Sequence, residues 1–160
     1  MLAEPQGGAL TLSSLANEAE VSRRTLYAHW GTIDKVVRDA VVSHYDGIDQ
    51  ADTSEMSSRQ RLRSFLEDLR DGVGESATVA AIGLLLYKAT QNEDGQAALE
   101  QMNLQRLNQF EATVCPVTED QYCLIVGPIF TSQLLYRRPA SDSVIATSVD
   151  LGMSILNLDG

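Results

Sequence analysis

Between residues 10 and 30, apolar side chains fall where two short helices meeting at a tight turn would bury them together. Leu12, Leu15, Ala16 and Ala19 recur at the three- and four-residue intervals that line one helical face. Thr11 or Ser13 can cap that helix. Glu20-Val21 interrupts the pattern, and Ser22 is a good N-cap for a second helix running to about Trp30. In such a pair Leu15 and Ala16 face inward, and Ala19 is small enough for close approach. Val21 plugs the turn, while Leu26 and Trp30 anchor the second helix from below. Gly31-Thr32 ends it, and Asp34 sits in the first turn of a longer helix reaching about Tyr45.

The rest of the chain keeps the helical period. No stretch alternates apolar and polar residues long enough to make a strand. Residues 1–10, with Pro5, Gly7 and Gly8, read as a loop, and residues 46–58 as a polar linker. Helices are expected at about 59–71, 77–92, 95–114, 119–137 and 141–158. Gly72-Val73-Gly74, Asn92–Gly95, Cys115-Pro116 and Pro139 punctuate them. The expected fold is all-α, with a helix-turn-helix unit over residues 1–45 and a helical bundle over residues 46–160.

Charge is unevenly placed along the 160 residues, whose net charge is −10. Residues 1–45 carry Arg23, Arg24, Lys35 and Arg38 against Glu4, Glu18, Glu20, Asp34 and Asp39, which is near balance. Almost all the excess acid therefore lies on the larger part. Affinity for nucleic acid rests on cations neutralising phosphates, so an acidic body excludes a protein that coats DNA or an acidic membrane. A near-neutral end with an adjacent arginine pair fits a local DNA-reading tip. No apolar run is long enough to span a bilayer, and nothing at the N-terminus has the order of a secretory signal. Cys115 and Cys123 lack CxxC spacing and a nearby histidine pair, so they read as two reduced thiols of a cytoplasmic protein, with no metal or cofactor.

In a helix-turn-helix the second helix enters the major groove. Here its outward residues are Arg23, Arg24, Thr25, Tyr27, Ala28 and His29. Arginine can grip the O6 and N7 acceptors of guanine, and threonine can hydrogen-bond or touch a thymine methyl. Tyr27 and His29, with the helix starts at Thr11 and Ser22, suit phosphate contacts that fix register.

This segment resembles the TetR family of transcriptional regulators. Leu10-Thr11, Leu15-Ala16, Ala19, Val21-Ser22, Thr25-Leu26-Tyr27 and His29-Trp30 match the family pattern in order and spacing. A looser match, Gly127-Pro128-Ile129 followed by Leu134-Leu135 and a closing amphipathic helix, is similar to the family's dimerisation region. Three departures stand out. Glu20 occupies the place where the family usually has Gly, a position where a positive φ is easiest. Ile33 fills the slot commonly held by Lys, with Lys35 two residues on as the nearest phosphate contact. The family also has a full helix before Leu-Thr, whereas nine residues precede Leu10, and Met1-Leu2-Ala3 reads as the tail of that helix.

The resemblance implies a dimeric, ligand-responsive repressor binding a palindromic operator, the alternative being a relative that has lost DNA binding and acts as a small-molecule-binding or interaction module. Coupling would run through the helix at about 34–49. The ligand pocket would lie among the middle helices, lined by Phe65, Leu69, Leu84, Leu85, Tyr87, Leu104, Leu107 and Phe110, which suits a small hydrophobic or amphipathic ligand. The homodimer contact would use Tyr122, Ile125, Val126, Ile129, Phe130 and Leu134 on one helix. On the other it would use Val144, Ile145, Ser148, Leu151, Gly152, Ile155 and Leu156. Two such helices from each subunit make a four-helix bundle about a two-fold axis. Pro128 should bend its helix. No GxGxxG, GxSxG or HExxH motif is present, so no enzyme site is expected.

Overall fold

A computed structural model describes residues 11–18, 20–33, 35–36, 39 and 56–158. Among these every regular element is helical. The order is α1 (Leu12–Glu18), α2 (Arg23–His29), α3 (Ser58–Gly74), α4 (Ser76–Ala89), α5 (Glu93–Thr113), α6 (Glu119–Phe130), a π-helical segment (Thr131–Leu135) and α7 (Asp142–Ile155). Ile33, Lys35, Val36 and Asp39 are helical as expected, while most of the helix foreseen over 34–49 lies outside the described residues.

The helix starts are set by side chains that accept otherwise orphaned backbone N–H groups. Ser57 with Gln60 and Thr118 with Gln121 form reciprocal capping boxes on α3 and α6. Asn92 Oδ1 accepts from the Gly95 N–H at 2.7 Å on α5, and Ser141 Oγ from the Val144 N–H at 3.3 Å on α7.

The main core forms where α3 is crossed by α6 and α7, with α4 and α5 packed as a hairpin alongside. Leu62, Leu66, Leu85, Phe110, Ile125, Ile129, Ile145 and Val149 are fully enclosed there. Phe110 stands edge-on to Phe65, centroids 5.0 Å apart, and to Tyr122 at 5.5 Å. Exposed ion pairs from Arg59 to Asp150 and from Arg70 to Asp142 also join α3 to α7. Being solvated, they contribute little beside the apolar contact. A second, smaller cluster of Leu12, Ala16 and Leu26 holds α1 against α2, with Leu15, Trp30, Ile33 and Val36 around it. Ile33 packs against both clusters.

Two local features depart from the sequence reading. Val21 is 42% exposed and does not plug the turn. The turn is closed by backbone instead: Glu20 takes φ 54° and the Val21 N–H donates to Ala16 O at 3.0 Å, a Schellman-type end to α1. Beyond Pro128, α6 continues to Phe130 and then widens into the π-helical segment, where the Tyr136 N–H donates five residues back to Thr131 O. Proline removes one helical hydrogen bond, and the altered bonding appears a turn further on.

Candidate nucleic-acid interface and internal cavity

The geometry of α2 follows from one buried residue. Leu26 is 6% exposed and is the only one of its side chains in the small core. Arg23, Arg24, Thr25, Tyr27, Ala28 and His29 all face solvent. Ser22 caps the helix: its Oγ accepts from the Thr25 N–H at 3.0 Å and lies 2.7 Å from Thr25 Oγ1, so the two hydroxyls are already engaged. Trp30 closes the other end. Its N–H donates to Leu26 O at 2.9 Å and its indole N–H to Asp39 Oδ2 at 2.9 Å. The His29 ring rests 5.5 Å from the Trp30 ring. Neither Arg23 nor Arg24 is ion-paired with a described residue. Of the residues expected to touch DNA, Arg23, Arg24, Thr25, Tyr27 and His29 thus share one short exposed helix. Ser22 is its cap, Thr11 precedes α1 and Lys35 lies exposed beyond Gly31.

The bundle holds a cavity of about 550 Å³ between α4, α5 and α6. Its walls are Ile82 and Leu86 from α4, then Leu99, Glu100, Met102, Asn103, Leu104 and Leu107 from α5. Glu119, Tyr122, Cys123, Val126, Gly127 and Phe130 from α6, with Leu134, complete it. The size suits a drug-sized molecule. Among the residues expected to line a pocket, Leu104 and Leu107 do so. Phe65, Leu69, Leu85 and Phe110 are buried in the main core, Leu84 packs against its edge, and Tyr87 is 60% exposed. The reason is that α5 carries apolar residues on two faces. Ala98 and Phe110 belong to the core, Leu99 and Met102 touch both, and Leu104 and Leu107 reach the cavity. Periodicity alone does not say which face meets which neighbour.

The crystal structure of a TetR transcriptional regulator from Agrobacterium tumefaciens matches with a TM-score of 0.53, covering 96% of this chain and 86% of that one at 19% identity. The chain has the TetR regulator fold. No protein-family model matches the sequence, and no curated protein does. No helix among the described residues is long and apolar enough to cross a membrane.

Within this TetR fold, α6 and α7 spend most of their apolar stripe on the chain's own core. Ile125, Val126, Ile129, Ile145, Ser148 and Gly152, expected at a dimer contact, are buried inside the single chain. Tyr122, Phe130, Val144, Ile155 and Leu156 are half-buried against that core, as is Leu134. Tyr122, Val126, Phe130 and Leu134 also line the cavity. Gly152 marks a close approach: a Cβ there would stand 2.7 Å from Leu62 Cδ2 on α3. The stripe is wide because both helices cross α3 while packing on each other. What they leave outside is Leu151, 37% exposed, and Leu124, 57% exposed. Leu124 was not singled out by the sequence, because it lies off the inward stripe.

Proposed function

We propose that the chain is a DNA-binding transcriptional regulator: a homodimeric repressor whose grip on a palindromic operator loosens when a small molecule enters the cavity of the bundle. The observation that carries this reading is the arrangement of α2, a short capped helix held by Leu26 alone with Arg23, Arg24, Thr25, Tyr27 and His29 all outward. Arg23 and Arg24 are the base-reading pair, and Tyr27, His29, Thr11 and Lys35 contact phosphates. Thr25, its hydroxyl shared with Ser22, offers its methyl to a thymine.

Two reading heads require two chains, because operator half-sites repeat about one helical turn apart. The outward faces of α6 and α7, with Leu124 and Leu151, form the two-fold contact. A ligand shifts the equilibrium only by its differential affinity for two head spacings. A coupling of about 1–3 kcal/mol changes operator affinity roughly 5–150-fold. The mechanical link is Ile33, which touches both clusters.

The test is binding of the protein and of Arg23→Ala/Arg24→Ala to its own upstream DNA across a salt series. Tight binding with a steep salt slope, abolished by the double substitution, is expected. A folded dimer that binds no upstream fragment at low salt would instead be a small-molecule-binding module.

A further inference from the structure

The π-helical segment ends against the junction of α3 and α4 and leaves a small pocket there, of about 150 Å³. Its walls are Gly74, Val79, Gln133, Arg137, Arg138 and Pro139, none of them shared with the larger cavity. At roughly 30 Å³ for each water, such a space holds a few waters or one small ion, so its wall groups are within reach of a single occupant. No carboxylate is among the walls, and Glu75, which adjoins Gly74, is not one of them. Two guanidiniums are, and neither Arg137 nor Arg138 is in an ion pair with a described residue. The Arg138 guanidinium lies 5.4 Å from the Tyr136 ring centroid, a contact that orients the charge without neutralising it. Arg137 takes φ 54° and the Arg138 N–H donates to Ser132 O at 3.1 Å, which fixes the backbone that carries the pair.

Gln133 adds a group left unsatisfied among the described residues. It is 4% exposed; its Nε2 donates to Arg70 O, and its Oε1 is enclosed with no hydrogen-bond partner. A buried acceptor without a donor is costly, and an occupant of the pocket can supply one. We propose that this pocket is a binding site for inorganic phosphate. Arg137 and Arg138 hold its charged oxygens through their forked N–H donors, and its P–OH donates to Gln133 Oε1. An oxyanion of the same size with no proton left meets the arginines but has nothing to offer Gln133.

The experiment is calorimetric titration of the full-length protein with phosphate and with sulfate at neutral pH, ionic strength held constant with sodium chloride so that screening is equal. Thermal melts serve as a second readout, because an anion bound only by the folded chain raises Tm. Sulfate carries at least as much charge, so a preference for phosphate comes from its hydroxyl. Phosphate is expected to bind at least about tenfold more tightly than sulfate, a difference of roughly 1.4 kcal/mol. Arg137→Gln/Arg138→Gln, two exposed positions where the fold should be kept, should weaken phosphate by at least about tenfold. Gln133→Met keeps the volume and removes the acceptor, so it should bring phosphate down to the level of sulfate. Should that variant not fold, Gly74→Ala tests the same contact, since its Cβ would press on Gln133 Nε2 at 3.1 Å and displace the amide. Equal affinities for the two anions in the native protein, phosphate binding that survives loss of both arginines, or no phosphate binding at millimolar concentration overturns the proposal.

Discussion

At Glu20 the backbone sits at φ 54°, a conformation that costs a residue with a Cβ roughly 1–2 kcal/mol relative to glycine. The Schellman bond from Val21 to Ala16 demands it, since the chain must reverse before Ser22 can cap α2. The need for a positive φ here was legible from the glycine usual at this place in the pattern; that this chain keeps the geometry with a glutamate was not. Glu20→Gly relieves the strain but loosens the unfolded chain, so the net gain should be about 1 kcal/mol. Trp30, the sole tryptophan, reports that gain as a rise in the denaturant midpoint. Asp68 carries a different tension. Desolvation, then repulsion from Asp71 and Glu67, pushes its carboxyl above the ordinary value of 3.8. The folded chain therefore holds that proton more tightly than the unfolded one. The group favours folding only when protonated, and that contribution is lost as pH rises through the raised value. Asp68→Asn should raise Tm at pH 7 and leave it almost unchanged near pH 3, where both states are already protonated.

At the level of helices, the Ser22 cap was readable because it is a local contract between a side chain and backbone three residues on, whereas Gly72 and Val73, read as a break, lie inside α3. Ser57, Thr118 and Ser141 begin their helices where such residues should. Which faces meet was not readable, since α5 and α6 have more apolar surface than one neighbour can cover. Two glycines of the α4–α5 hairpin show how far the neighbour decides. A Cβ on Gly95 would stand 2.5 Å from the backbone C and O of Lys88, atoms that cannot swing aside. Gly83, exposed in the middle of α4, has nothing within 4 Å of its Cβ position. Gly95→Ala should therefore cost about 1–3 kcal/mol by overpacking. Gly83→Ala should stabilise by roughly 0.5–1 kcal/mol through helix propensity. Thermal melts of the two variants moving in opposite directions would show both, and equal shifts would contradict the close approach at Gly95.

For the whole molecule the question is how the small cluster of α1 and α2 stays joined to the bundle, whose core is the larger among the described residues. Among the described residues, Leu12, Ala16 and Leu26 form the small core that holds α1 against α2. Ile33 is the described residue that packs on both clusters, in the slot where a lysine is usual for this pattern. An apolar side chain in that slot touches both cores, and so makes the stability of the small cluster depend on the bundle. The chain provides two probes that separate these parts. Trp30 lies in the small cluster, whereas far-UV circular dichroism is dominated by α3 to α7. In the native sequence the fluorescence and dichroism transitions in urea should coincide, as one cooperative unit requires. Ile33→Ala removes a half-buried side chain, so its cost should be roughly 1–2 kcal/mol, below the 2–5 kcal/mol typical of a fully enclosed one. That cost should fall on the Trp30 transition, shifting it to lower urea while the dichroism midpoint moves little. Coincident curves in the variant would mean that other contacts join the two parts. Separate curves in the native protein would mean that the heads are uncoupled already, and a ligand in the cavity would have no rigid path by which to move them.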